Sequence, residues 1–441
     1  MPGTSVKYEA PRFQVPAHAE SRSPVSLRSR IGLNTANFFL AEVTGVVMPF
    51  LGTFLQSRQW RYDSIGIAMA LAGLGVFLMQ TPAGFIVDRV CWRRGLLGGA
   101  SLLLGVCYGL LPVLPSHWWL VDPLLFVAGA GQAFFLPLLG ALALGLVGHA
   151  ALNKTIGMNQ SWNHAGNIAA ALSAMLLVSW FGLPSVFYTV AAVSILAAAS
   201  VFLIRSDEID ETRASGATSD GSTGGDGKQQ RRAGLQQLFR DRRIVILFAA
   251  TALFHLANAP VMPLVALYVK YLNGTDSQVA AVVLVAQTVM IPVALLTGWL
   301  CGRWGRKPIF VVGFVALPLR IFLYSLTTNP NILIALQALD GIGAGIYGVA
   351  IVAMCADLTR GKGGFNALSG LIATALSVGG VIGPIGSGFL IQHLGFKMAF
   401  YVFAGVAAVA AILFVVFMPE TKPDDSASDT AADGQVRMAG D

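Results

Sequence analysis

The chain is expected to be an all-α membrane protein of twelve transmembrane helices, arranged as two pseudo-symmetric six-helix bundles. Three observations predict this. The 441 residues are 55% hydrophobic and only 12% charged, with a mean hydropathy of +0.68, whereas a soluble domain carries about 25% charged residues. The apolar residues gather into runs of about 20, the length that crosses a bilayer. The second half of the chain also repeats short sequence features of the first at nearly one offset.

Met1 to Gly32 is polar and carries Pro2, Pro11, Pro16 and Pro24. It lacks a short apolar core before a small-residue cleavage site, so no signal peptide is expected. Apolar runs follow near Leu33–Gln56, Ile65–Val87, Gly95–Leu114, Trp118–Val147, Ile156–Trp180 and Pro184–Ile204. Each must satisfy its own backbone in lipid and is therefore a helix. Barrel strands are excluded, since they run about 10 residues and alternate in polarity. Arg205 to Arg243 breaks the pattern. Its Ser/Gly/Asp-rich centre, Ser215 to Gly227, reads as a flexible linker, and Leu235 to Arg240 as a short surface helix. Six more runs come near Ile244–Tyr268, Val279–Leu300, Ile309–Leu326, Ile332–Met354, Asn366–Ile391 and Met398–Met418. The tail after Glu420 is acidic, rich in small residues and expected to be disordered. The domain division is therefore an N-terminal segment over 1–32, a first bundle over 33–204, a linker over 205–243, a second bundle over 244–418 and a tail over 419–441.

Basic residues cluster on one side: in Met1–Gly32, at Arg89, Arg93 and Arg94, at Lys154, in the linker, at Arg303, Arg306 and Lys307, at Arg360 and Lys362, and in the tail. The other side holds Arg58, Arg61, Lys270 and Lys397. Cytoplasmic loops hold the excess of Lys and Arg, so both termini and the linker are expected in the cytoplasm of a bacterial cell, with the helices in its inner membrane. The net charge of +7 follows from this bias. It forms no basic stripe interleaved with stacking aromatics, so nucleic acid is not an expected partner. Trp60, Trp118, Trp180 and Tyr271 fall near span ends, where aromatic belts sit. Cys91, Cys107, Cys301 and Cys355 make no metal spacing and imply no disulfide framework.

Gly84-Phe85-Ile86-Val87-Asp88-Arg89 leads to Arg93-Arg94; Gly298-Trp299-Leu300-Cys301-Gly302-Arg303 leads to Arg306-Lys307. Val47-Met48-Pro49 matches Val261-Met262-Pro263 at the same offset of about 214 residues, and Phe38-Phe39-Leu40-Ala41-Glu42 echoes Phe254-His255-Leu256-Ala257-Asn258. Gly129-Ala130-Gly131 echoes Gly341-Ile342-Gly343. Parallel repeats of this kind enclose a substrate site near the bilayer midplane, and rocking of one against the other alternates access.

On these motifs the chain resembles the major facilitator superfamily over essentially its whole length. The resemblance implies a secondary transporter fold and does not name a substrate. Against the usual family pattern, Cys91 and Trp92 replace the Gly and first Arg of the first loop, and Gly302 stands where the second copy has Asp. Leu125 stands where drug/proton antiporters carry an Arg, and a polar run from Asn159 to Asn167 replaces their Gly-Pro-rich fifth span. A Gly379-x-x-x-Gly383-Pro384 run lies in the eleventh span.

Glu42 lies in an otherwise apolar span. A carboxylate at that depth costs about 3 kcal/mol or more unless partnered or protonated, which suits it to loading and releasing a proton; the plainer reading is a packing hydrogen bond. Asp340 precedes Gly341 and Gly343 and is read the same way, with Arg320 as its counter-ion or as a snorkelling side chain. In the fifth span Asn159, Asn163 and Asn167 share one face, with Gln160 and His164 beside them. Such a stripe must face a cleft or another helix, and it suits a polar solute or interhelical contacts. His255, Asn258 and Gln287 are further candidates of that kind. Gly84, Asp88, Arg89, Arg93, Arg94, Gly298, Arg303, Arg306 and Asp357 are read as gate parts. There Gly84 permits close packing and Asp88 meets the positive end of a helix from the other half; the plainer reading is a topology signal.

The chain is thus expected to be a carrier that moves a small organic solute by alternating access, coupled to protons and leaning to efflux. An importer of a polar nutrient and a non-transporting receptor are the alternatives. No metal spacing, nucleophile elbow or phosphate loop is present, so no enzyme activity and no cofactor are expected. The partners expected are a small-molecule substrate, protons and membrane lipid, with the chain acting as a monomer.

Overall fold

Because every apolar run must pair its own backbone groups in lipid, the chain folds as helices joined by short turns. The computed structural model describes residues 25–45, 47–214, 240–359 and 365–422, with no strand among them. The linker centre at Ser215 to Gly227, Leu235 to Phe239, Arg360, Lys362 and the tail beyond Lys422 lie outside them.

The first half comprises α1 (Leu27–Ser57), α2 (Tyr62–Arg89), α3 (Arg93–Leu110), α4 (Trp118–Gly148), α5 (Thr155–Phe181) and α6 (Pro184–Phe202). The second comprises α7 (Arg242–Tyr271), α8 (Asp276–Trp304), α9 (Arg306–Leu326), α10 (Pro330–Thr359), α11 over 365–394 and α12 over 396–417. The sequence-derived spans match these in number and order, and the helices overrun them by several residues at many ends. Within α1, Asn37 donates back to the carbonyl of Leu33 at 2.8 Å. Chain reversal between α5 and α6 and between α11 and α12 uses single glycines, Gly182 at φ 76° and Gly395 at φ 80°. L side chains rarely adopt that region, so glycine permits hairpins this tight.

The same helix pairs pack in both halves. In the first, Gly166 of α5 sits against the Phe38 carbonyl of α1, Gly129 of α4 against the Ala72 carbonyl of α2, and Gly105 of α3 against Ser194 of α6. In the second, Gly379 of α11 sits against the His255 backbone of α7, and Gly341 of α10 against the Ala286 carbonyl of α8. Phe314 of α9 stacks on Phe414 of α12 at 4.3 Å. Small residues bring helices close where apolar burial alone gives no drive toward association.

α7 is broken near its middle, dividing into Arg242–Asn258 and Val261–Tyr271. Pro260 and Pro263 cannot donate a backbone hydrogen bond, so a regular ladder cannot run through that break, and α1 carries the equivalent of Pro263 at Pro49.

Among the described residues, the two halves meet from one end of the molecule to just past its middle, where Ser377 of α11 donates to Gln80 Oε1 of α2 at 3.1 Å. Gly66 and Gly388 let α2 and α11 touch backbone to backbone, and Gly73 sits against the Gly380 carbonyl. The Tyr62 amide donates to Gln392 Oε1 at 3.0 Å. Phe396 packs between Tyr62, Tyr268 and Tyr271 at centroid distances of 5.4, 5.1 and 4.9 Å. Ser277 of α8 donates to the Met175 carbonyl of α5 at 3.4 Å. At the opposite end, a side chain built at Gly84, Gly157, Gly298, Gly302 or Gly370 would meet nothing within 4 Å. The halves therefore splay apart on the face that carries the α2–α3 and α8–α9 turns and both described chain ends.

Candidate functional site

Between the halves lies a cavity of about 360 Å³, walled by α1, α2, α4, α7, α8 and α11. The α7 break borders it through Ala259, Met262 and Pro263, and the proline-bearing part of α1 faces it through Gly45, Met48 and Pro49. A break frees backbone groups from intrahelical bonding, and at membrane depth such groups are tolerated where they line a cavity. Thr44, Gln132 and Gln287 add side-chain polarity. Of the sequence candidates only Gln287 lines this cavity. Gln132 and Thr44 had not been singled out; the signal for Gln132 is an amide at bilayer depth directly after Gly131.

The α5 stripe stands behind this wall and is not turned to lipid along its length. Asn167 donates to Asn163 Oδ1 at 3.2 Å and its amide oxygen presses on Gly45 of α1. His164 reaches Gln287 of α8, yet His164 Nδ1 and Gln287 Oε1 are buried without a hydrogen-bond partner, as is Asn159 Oδ1. Gln160 is exposed and Asn159 buried. The stripe thus divides between α1 and the α5–α8 seam, one layer behind the cavity.

Glu42 faces a separate chamber of about 10 Å³ between α5 and α6, beside Ser173 and Thr189. The second half holds a larger polar chamber of about 160 Å³ lined by His255, Asn258, Arg320, Asp340 and Tyr347 among others. Arg320 is 3% exposed and pairs with Asp340 while donating to Asn258 Oδ1. Both ring nitrogens of His255 and the Tyr347 hydroxyl lack partners, and the two rings stand edge to face at 4.7 Å. Of the two sequence readings of Arg320, the counter-ion is the one found. By the internal repeat Asn258 occupies the position of Glu42, so the halves place unlike chemistry at equivalent points.

The gate candidates divide in two. Asp88 and Arg89 are exposed and Gly84 packs against nothing, as expected where the halves are apart. Arg303 is exposed and lies over Trp299 at 5.4 Å. Arg93, by contrast, is buried and pairs with Glu211, while Arg94 donates to the Ile204 carbonyl. In the second half Arg306 pairs with Asp357 at 3.0 Å, rather than Asp357 serving Arg303. The amides of Arg306 and Lys307 donate to Glu420 at 2.9 and 3.0 Å. In each half, then, the segment after the sixth helix returns a glutamate to the turn before the third. Glu211 and Glu420 gave no sequence signal, because each lies in a stretch where acidic residues are common and only its docking distinguishes it.

Partial burial pushes the Glu420 carboxyl up, but the amides of Lys422, Arg306, Thr421 and Lys307 outweigh that and hold it below the usual glutamate range. A carboxyl lowered in the folded state contributes stability that is present above its unfolded pKa, about 4.3, and lost as pH falls through the folded value. Glu420→Gln should therefore lower Tm by a few degrees at pH 7, and the deficit should shrink as pH drops below about 4. Thermal unfolding in detergent across that range measures it. A deficit independent of pH would mean that the charge is not what holds the segment.

The sequence profile of the Major Facilitator Superfamily matches residues 33–317 and 247–439. An uncharacterized MFS-type transporter of Mycobacterium tuberculosis is 34% identical over 396 residues, covering 89% of this chain and 94% of that protein. The multi-drug resistance efflux pump PmrA of Streptococcus pneumoniae is 20% identical over 83% of this chain and 90% of its own length. Among solved structures, a point mutant of the nucleoside transporter NupG superposes with a TM-score of 0.75 at 15% identity, covering 88% of this chain and all of that one (100%). With its described residues folded as twelve helices in two equivalent halves around a central cavity, the chain belongs to the Major Facilitator Superfamily of transporters, which are not enzymes.

Proposed function

We propose that this protein is a proton-coupled exporter of a small organic solute, lying in a bacterial inner membrane with both termini in the cytoplasm and working by rocking its halves about the central cavity. The observation that carries the rocking reading is the one-sided seal: the halves join at α1–α7, where Gly52 meets Leu267, at α2–α11 and at α5–α8, and part on the basic face, which by the charge bias is cytoplasmic. An exporter loads in this state and an importer releases in it. Closing the basic face would bring Gly84 and Asp88 of α2 toward α11, and parting of the α2–α11 glycines would open the other side.

Proton coupling is supported by carboxyls within the membrane. Glu42 and Asp340 each sit in a chamber beside, and not within, the cavity. A proton bound at either changes the charge on a helix pair that must rearrange when the halves rock. Export is favoured by the resemblance to a multi-drug resistance efflux pump. Import of a polar nutrient is the second reading, supported by the amides of Gln132 and Gln287 on the cavity wall.

Reconstitution into proteoliposomes with an imposed pH gradient tests this. Export coupled to protons predicts that solute accumulates on the acidic side and that solute addition discharges the gradient. Fluxes that ignore the gradient for every solute carried would overturn the coupling. Accumulation on the alkaline side would move the reading to import.

A further inference from the structure

The charge of the cavity wall narrows the cargo. Of the residues lining the 360 Å³ cavity, none is ionisable. Arg320, Asp340 and Glu42 lie in other chambers, where Arg320 and Asp340 pair with each other and Glu42 faces Ser173 and Thr189. An ion entering this cavity would shed water and find no opposite charge, which costs several kcal/mol. Met48, Met69 and Met262 supply soft, adaptable apolar surface. Met48 and Met262 are equivalent across the repeat, so the two halves offer the same surface to opposite faces of a guest. Against this apolar lining stand the amides of Gln132 and Gln287, each able to donate and to accept. The volume lies near the lower end of drug-sized sites, about 300–1,000 Å³.

We infer that the cavity selects uncharged solutes with an apolar body and an amide- or hydroxyl-like hydrogen-bonding group, and that Gln132 and Gln287 set this selectivity. The inference rests on the carrier reading above for its biological sense, but the selectivity is a property of binding.

The test uses three probes that share one apolar body: phenylacetamide, phenylacetate and 2-phenylethylammonium. Binding to the full chain in nanodiscs is measured by saturation-transfer NMR, with empty nanodiscs as background. The wild type should bind the amide at least about tenfold more tightly than either ion, the ratio that a modest uncompensated charge penalty of about 1.4 kcal/mol produces. Gln287→Glu and Gln132→Glu should each reverse the ranking in favour of the ammonium probe, and Gln287→Leu should weaken the amide alone. Two positions and two kinds of substitution guard against one variant failing to fold, which size-exclusion elution reports. Equal binding of the three probes, a wild-type preference for an ion, or an unchanged ranking in well-folded Glu variants would overturn the selectivity. If the amide is bound preferentially but no probe or other solute crosses proteoliposomes under any gradient, the carrier reading fails while the selectivity stands.

Discussion

Arg320→Met should destabilise the purified protein by about 3–5 kcal/mol, the cost of removing one member of a buried ion pair and leaving its partner's charge uncompensated. Arg320 and Asp340 have side chains only 4% and 14% exposed, and Arg320 is the group that also engages Asn258. Without it, the Asp340 carboxyl shares a largely buried chamber with His255, Tyr347 and Leu317. It must then stay charged at great cost or bind a proton. The double variant Arg320→Met/Asp340→Leu should recover most of the loss, because two apolar side chains of similar volume need no counter-charge. Thermal unfolding of the four proteins in the cycle gives the coupling. A double variant no better than the single would show that the pair does not act as a unit.

Asp340→Asn tests the proton role of the same pair. The amide keeps the shape of the carboxyl and one acceptor oxygen but leaves the Arg320 charge uncompensated, so this variant should also lose stability, and its transport is compared per folded protein. If Asp340 carries the coupled proton, this variant should still exchange solute across proteoliposomes at equal pH, yet fail to accumulate it against a gradient. Full gradient-driven accumulation by Asp340→Asn would move the proton to Glu42, and Glu42→Gln should then show the same uncoupling.

The helical architecture was legible because hydropathy at bilayer scale is a coarse, additive signal. Even α3, whose Arg93, Arg94 and five glycines dilute its apolar character, reads as an apolar run over Gly95–Leu114. The repeat was legible because Gly84 and Gly298, or Val47-Met48-Pro49 and Val261-Met262-Pro263, are local strings that a common offset ties together. The site was less so. An amide in a span is costly against lipid, but whether it meets a cavity or another helix depends on rotation about the helix axis by a fraction of a turn. Gln287 reaches the cavity and Asn167 stops at Gly45 for that reason. The pairing of Arg320 with Asp340 could be proposed from their rarity in the membrane, whereas Glu211 with Arg93, and Glu420 with the start of α9, needed the fold.

A second large effect is expected where the halves seal. Gly66→Val should shift the protein away from the state described here and toward one open on the opposite face. A Cβ at Gly66 would collide with the Pro384 carbonyl and come within 3.1 Å of Gly388 Cα; one at Gly73 would lie 2.7 Å from the Gly380 carbonyl oxygen. These neighbours are backbone in rigid helices and cannot turn aside as a side chain can. Overpacking of this kind costs about 1–3 kcal/mol or more, and it falls only on the sealed state, because the open one separates α2 from α11. A bias of that size moves the ratio of the two states by about one to two powers of ten, short of the roughly 5.5 kcal/mol needed to invert a 99:1 population. Gly66→Val should therefore give a mixture, and Gly66→Val/Gly73→Val a mainly reversed protein. A cysteine at Thr44, on the cavity wall, reports this by its reaction with a membrane-impermeant thiol reagent added on the outer side. The reaction should speed up at least about tenfold in the double variant, while gradient-driven transport falls. Gly129→Val is the contrast: it meets the Ala72 carbonyl within one half, penalises both states alike, and should lower stability without changing accessibility. If the Gly66 variants stay closed to the outer reagent, the α2–α11 contact yields without parting, and the rocking axis must lie elsewhere than along this seam.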